Sequence, residues 1–130
     1  MSDTVRPGDA IAVYGLLRAG ESGFARFGLA EAFKPLGPCL IPGELWDLGD
    51  YPGLVAGAGE VVGELFEVVD ASVMPTLDAF EDYWPDDPDR SRYDRIRVQL
   101  IGNERTAWVY VWRLSLDEAK PIASGDWFKR

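Results

Sequence analysis

The sequence predicts a small α+β domain built on a curled sheet or barrel. Five or six strand-like segments accompany only two short helical ones. The stretch AWVYVW, residues 107–112, is apolar on both faces, so both faces need a cover, which a curled sheet provides better than a flat one. At 130 residues and 47% hydrophobic content the chain is expected to form a single domain, residues 1–130, around one core.

The first strand, residues 10–15 (AIAVYG), is short, apolar and β-branched. It breaks into a glycine-punctuated turn within residues 13–20 (VYGLLRAG), where Gly15 reads as the source of an unusual φ. Residues 23–34 (GFARFGLAEAFK) read as a helix that Gly28 weakens. Residues 39–49 (CLIPGELWDLG) read as a strand alternating after Pro42. Residues 59–70 form the clearest strand, with Val61, Leu65 and Val69 apolar and Gly63 interrupting. The second helix, residues 72–83 (SVMPTLDAFEDY), has Ser72 as cap, Pro75 in its first turn and Pro85 as its end. Residues 95–102 alternate strictly, with Ile96, Val98 and Leu100 on one face and Arg95, Arg97 and Gln99 on the other. A turn at residues 102–104 (GNE) returns the chain through residues 105–114 as a hairpin partner, Trp108, Tyr110 and Trp112 facing opposite to Ala107, Val109 and Val111. The tail after residue 114 reads as irregular, with Pro121 and Gly125.

Composition restricts function. With 13 basic and 22 acidic residues the net charge is −9, which disfavours nucleic acid and anionic membranes as partners. The N-terminal residues lack a signal-peptide pattern, and no apolar run approaches the ~18 residues of a membrane span, so a cytoplasmic protein is expected. One cysteine, Cys39, forms no intrachain disulfide and reads as a small core residue. There are no histidines, so a Ser-His-Asp or Cys-His unit is impossible and imidazole metal sites are disfavoured. A proton shuttle, if present, is a carboxylate, a tyrosine or a lysine.

One carboxylate breaks the pattern of the second helix. Leu77, Phe80 and Glu81 stand at i, i+3 and i+4, on one face, so Glu81 borders an apolar stripe, with Asp78 and Asp82 flanking it towards solvent. Burial raises a carboxylate's pKa and suits it to general acid–base work. The alternative is an edge residue paired with Arg92 or Arg95. Residues 84–95 (WPDDPDRSRYDR) carry four aspartates and three arginines without the spacing of a calcium loop, and read as a solvated, self-paired segment. GLLRAG is not a phosphate loop, because no Gly-Lys-Ser/Thr follows.

Taken in order, these segments resemble the γ-glutamylcyclotransferase-like family, including the γ-glutamylamine cyclotransferases. VYGLLRAG is similar to the family's Tyr-Gly-Ser/Thr-Leu loop, and residues 43–55 (GELWDLGDYPGLV) to its strand followed by Tyr-Pro. VVGELFEVVD, LDAFEDY, SRYDR, AWVYVW and IASGDW resemble its later elements, so the likeness spans nearly the whole chain. The resemblance implies a small mixed β-barrel with two flanking helices. It implies a cofactor- and metal-independent acyl transfer in which a γ-glutamyl substrate's α-amine attacks its own γ-carbonyl, giving 5-oxoproline and an amine, amino acid or peptide. It implies Glu81 as catalytic acid–base, the turn Gly15, Leu16 and Leu17 as substrate-binding backbone, and Tyr14 and Tyr93 as residues bordering the pocket. The expected partner is this small molecule, with the chain a monomer or homodimer. Where the family has a hydroxyl residue this chain has Leu16, which keeps the backbone N–H and loses a side-chain hydrogen bond. An amide hydrolase or a non-catalytic binding module on the same barrel are the alternatives.

Overall fold

A computed structural model of the chain describes residues 4–18 and 20–130. Ala19, inside the 13–20 stretch, and the first three residues lie outside the described residues. The strands are β1 (Ala10–Val13), β2 (Phe33–Asp47), β3 (Pro52–Val68), β4 (Tyr93–Gln99), β5 (Thr106–Trp112) and β6 (Lys120–Pro121). The helices are α1 (Ser22–Arg26), α2 (Leu29–Ala32) and α3 (Met74–Phe80). The strands form one mixed sheet in the order β4-β5-β1-β3-β2-β6. All its pairings are antiparallel except β1 with β5, where Ile11 stands beside Trp108. The sheet curls into a half-barrel, and Ile101 N–H donates to Leu40 O (3.0 Å), tying the end of β4 to β2 near the opposite edge.

Both faces of the sheet are covered, as the apolar pattern of β5 predicts. Alternate residues of β1 divide between two cores: Ile11 and Val13 pack with Leu29, Phe66, Leu77 and Trp108 under the helices, while Ala10 and Ala12 pack with Ile41, Val61, Leu65 and Val109. Cys39 is buried in the second core. Burial, and then the Glu64 charge, push its thiol up to about 11, so it is held protonated.

Several elements depart from the sequence expectation for identifiable reasons. The 23–34 helix is two short helices, because Gly28 takes φ +63° between them and Phe33 and Lys34 already belong to β2. Strands β2 and β3 are far longer than their alternating cores, because they pair along most of their lengths through bulges at Pro35/Gly37 and Pro42/Glu44. Val69 lies beyond β3 and is exposed, while Phe66 and Val68 fill the helix-side core. In β4, Arg95 is buried and Ile96 exposed, the reverse of the alternation argument, because Arg95 finds a buried acid partner. The second helix is not capped by Ser72: α3 has no side-chain cap, and Asp70 instead caps the 3₁₀ turn Ala71–Val73 that leads into it, accepting from Ser72 N–H. It ends before Pro85: Asp82 takes φ +56°, and the bonds Tyr83 N–H to Asp78 O and Asp82 N–H to Ala79 O close a Schellman-type turn. The tail contributes the short strand β6 and a terminal 3₁₀ turn at Trp127–Lys129.

Candidate active site

Strand β1 ends at a pocket of about 240 Å³, a space for a small molecule. Its walls come from the end of β1 and the following turn (Val13, Tyr14, Gly15, Leu16, Leu17), the β2–β3 turn (Tyr51, Pro52), the end of α3 (Phe80, Glu81, Asp82), the start of β4 (Arg92, Tyr93) and Tyr110 of β5. Every residue singled out for the site from sequence therefore lies on this one pocket.

The turn after β1 is shaped by packing. Gly15 does not take a positive φ, contrary to expectation. It is glycine because Pro52 presses on it: a Cβ there would stand 2.5 Å from Pro52 Cγ and 2.8 Å from Cδ. The turn is closed by Arg18 N–H donating to Gly15 O (3.0 Å) and held from the other side by Gly23 N–H donating to Leu16 O (2.9 Å). The N–H groups of Gly15, Leu16 and Leu17 have no backbone or side-chain acceptor among the described residues. Three consecutive residues with unengaged N–H groups thus line the pocket, and backbone donors of this kind suit an oxygen that carries negative charge.

Glu81 stands at the C-cap of α3, its N–H bonded to Leu77 O (2.9 Å). Leu77 is fully buried beneath it and Phe80 lines the pocket beside it. The arginines that could have neutralised Glu81 are taken by its neighbours. Arg95 grips Asp78 in bidentate fashion (Nε–Oδ1 2.9 Å, NH2–Oδ2 3.0 Å). Arg92 pairs with Asp82 (3.0 Å). Among the described residues no cation pairs with Glu81. Asp78 is buried at 7% exposure rather than facing solvent. Burial first, and then the Asp78 charge, push the Glu81 carboxyl from an ordinary 4.5 up to about 8. Glu81 keeps some accessible surface on the pocket, yet the protein packed around its carboxyl disfavours the charged form.

The pocket tyrosines are structural donors. Tyr14 donates its hydroxyl to Tyr110 O (2.6 Å) and accepts from Leu54 N–H (3.3 Å). Tyr93 donates to Pro52 O (2.7 Å), and Tyr110 to Asp78 Oδ1 (2.6 Å). Burial is the main cause holding all three well above the ordinary tyrosine pKa; the Glu81 charge adds to it at each, and the Asp78 charge adds to it at Tyr110. They remain neutral, which leaves Glu81 as the pocket group poised to exchange a proton near neutrality. Sequence reasoning missed Tyr51, Pro52, Phe80, Asp82, Arg92 and Tyr110 as pocket residues, and the Arg95–Asp78–Tyr110 network. Two signals could have found the network. Tyr93 and Arg95 share a strand face, and Asp78 lies three residues before Glu81 on a helix. Among the described residues no three His, Cys, Asp or Glu side chains converge to hold a metal ion, and no helix is long and apolar enough to cross a membrane.

Comparison with known proteins gives the fold and site a family. Residues 11–129 match the family model described as gamma-glutamyl cyclotransferase, AIG2-like. A Vibrio cholerae protein bearing the γ-glutamylcyclotransferase name is 37% identical over 120 residues, 91% of this chain and 94% of its own. The gamma-L-glutamyl-butirosin B gamma-glutamyl cyclotransferase of Niallia circulans is 32% identical over 118 residues, 88% of this chain and 72% of its own. The solution structure of YtfP from Escherichia coli superposes with a TM-score of 0.67 at 33% identity, covering 93% of this chain and 97% of that one. With nearly the whole chain matched and the same half-barrel in a solved relative, the chain belongs to the γ-glutamyl cyclotransferase, AIG2-like family of enzymes.

Proposed function

We propose that the chain converts a γ-glutamyl amine or γ-glutamyl dipeptide into 5-oxoproline and the free amine or amino acid, with Glu81 as the acid–base. The observation that carries this is a lone unpaired carboxylate, pushed up to about 8, on the same small pocket as three unengaged backbone N–H groups. Family membership and the cyclotransferase names of the relatives support it.

The chemistry follows from the groups present. The substrate's α-ammonium gives a proton to the Glu81 carboxylate, which frees a lone pair on nitrogen. That nitrogen attacks the γ-carbonyl carbon, and the carbonyl electrons move to oxygen. The N–H groups of Gly15, Leu16 and Leu17 stabilise this oxyanion. Glu81 then donates its proton to the leaving nitrogen, the C–N bond breaks and the carbonyl reforms; the ring nitrogen gives its remaining extra proton to Glu81, which passes it to the freed amine, leaving a neutral lactam, an ammonium product and Glu81 again as carboxylate. A carboxylic acid with a pKa near working pH serves both transfers. Tyr14 and Tyr93 shape the wall and hold Leu54 and Pro52 through their hydroxyls rather than bonding substrate. Leu16 contributes its backbone and an apolar side chain.

The test is incubation with a panel of γ-glutamyl amines and dipeptides, 5-oxoproline being read by mass spectrometry beside Glu81→Gln. The expected result is 5-oxoproline that vanishes in the variant. Full activity in Glu81→Gln, or free glutamate in place of 5-oxoproline, overturns the mechanism.

A further inference from the structure

We propose that Arg18 is a positioning residue for the pocket turn, locked in place by the C-terminal segment of the chain through Asp126 and Phe128. Arg18 immediately follows the turn and closes it through its own N–H on Gly15 O (3.0 Å). Its side chain runs inward to 7% exposure. There Nε meets Glu64 Oε2 at 2.8 Å, NH1 meets Asp126 Oδ1 at 2.9 Å, and the Phe128 ring covers the guanidinium at 3.7 Å. Glu64 stands opposite Val13, the last residue of β1, so the arginine joins the turn, the neighbouring strand and the tail.

The tail is built to hold that carboxylate still. Val62 N–H donates to Gly125 O (2.7 Å), and Trp127 is 1% exposed. The same Asp126 Oδ1 also accepts from Phe128 N–H (2.9 Å). Gly125 lies so close to Glu60 that a Cβ would stand 2.3 Å from its carbonyl oxygen. One guanidinium against two carboxylates leaves a local net negative charge, so the cluster is not there to attract an anionic substrate. Its consequence is geometric. With Gly15 O held by Arg18 N–H and Leu16 O held by Gly23 N–H, the peptide groups that carry the Leu16 and Leu17 N–H donors are held in place before substrate arrives.

This inference rests on the oxyanion role given to residues 15–17 above, and the experiment separates the two. Asp126→Asn keeps the shape and removes the charge that pairs with Arg18. Because the donors act on the transition state, kcat is expected to fall about tenfold while KM stays within about twofold and the pH profile, set by Glu81, does not move. In parallel, amide exchange at Arg18 and Gly23 is expected to quicken while Ile11 and Val13 of β1 keep their protection, a local loosening that global destabilisation does not mimic. A folded Asp126→Asn protein with wild-type kcat and unchanged exchange overturns the proposal. Should that variant not fold, Phe128→Ala decides: Phe128 is 48% exposed, and its loss uncovers the guanidinium at little cost to the core. An unchanged kcat and unchanged Arg18 exchange there is equally refuting. If the wild-type chain turns over no γ-glutamyl compound, the proposed reaction fails on its own, and the exchange comparison still decides whether the tail holds the turn.

Discussion

Replacing Glu81 with glutamine is expected to make the protein inactive and more stable, by an amount that grows with pH. The carboxyl moves from an ordinary 4.5 in the unfolded chain to about 8 in the fold. A group raised in this way contributes its stability fully below pH 4.5, where both states are protonated, and has lost it once pH rises through about 8, where the folded protein must bury a charge. At about 1.4 kcal/mol per pH unit the full loss is about 5 kcal/mol, of which about 3 kcal/mol is incurred by pH 7. Glutamine keeps the shape and never ionises, so it escapes the loss. For a chain of 130 residues, about 3 kcal/mol corresponds to a Tm gain of about 10 °C at pH 7. Thermal melts of both proteins at about pH 4.5, 7 and 9 measure the difference, and taking the difference cancels every other titrating group. A gap that does not change with pH refutes the raised pKa. A gap of the opposite sign, with the variant losing stability as pH rises, would mean that the carboxylate has a cationic partner after all, the edge-residue alternative.

Other consequences are simpler to state. If Glu81 must first accept a proton, kcat/KM is expected to rise with pH through about 8, and a profile flat between pH 6 and 9 would exclude it as the base. Gly15→Ala places a methyl 2.5 Å from Pro52 Cγ, so a loss of about 1–3 kcal/mol is expected in chemical denaturation, with turnover falling because both residues line the pocket. Arg95→Met strands the Asp78 carboxylate in the core beside the Tyr110 hydroxyl without its cation, and is expected to cost about 3–5 kcal/mol in the same assay. Tyr14→Phe removes the bond to Tyr110 O and the acceptor of Leu54 N–H, an expected loss of about 1–2 kcal/mol with Glu81 left in place.

Much of this molecule was legible before its structure. The apolar β1 and the doubly apolar β5 required a sheet covered on both faces, and the family resemblance implied one site for Tyr14, Gly15, Glu81 and Tyr93. What was not legible was everything that depends on a distant partner. Gly15 read as a residue of unusual φ because its sequence neighbours say nothing of Pro52, 37 positions away and pressed against it. Arg95 reads as part of the polar face opposite Ile96, Val98 and Leu100, because alternation counts an arginine as polar and cannot see Asp78 waiting behind it. The extended pairing of β2 with β3 was hidden because its prolines, glycines and bulges break the period on which strand recognition relies.

Those distant partners also set apart the three acids at the end of α3. Asp78, Glu81 and Asp82 lie within five positions, and their sequence context distinguishes them poorly. Strand β4 distinguishes them. Arg95, two residues beyond Tyr93 on the same face, reaches Asp78 and completes its pairing with help from Tyr110. Arg92, one residue before Tyr93, pairs with Asp82 on the pocket wall. Two arginines are thereby consumed by two aspartates, and the glutamate between them is left among apolar and neutral groups with a like charge one turn away. That arrangement costs stability, and it suits a group that takes up a proton and gives it back, as the proposed reaction requires. The last turn of α3 and the residues just after it supply three acids, and the arginines at the start of β4 decide, by what they pair and what they leave alone, which of them has its pKa raised towards neutral pH.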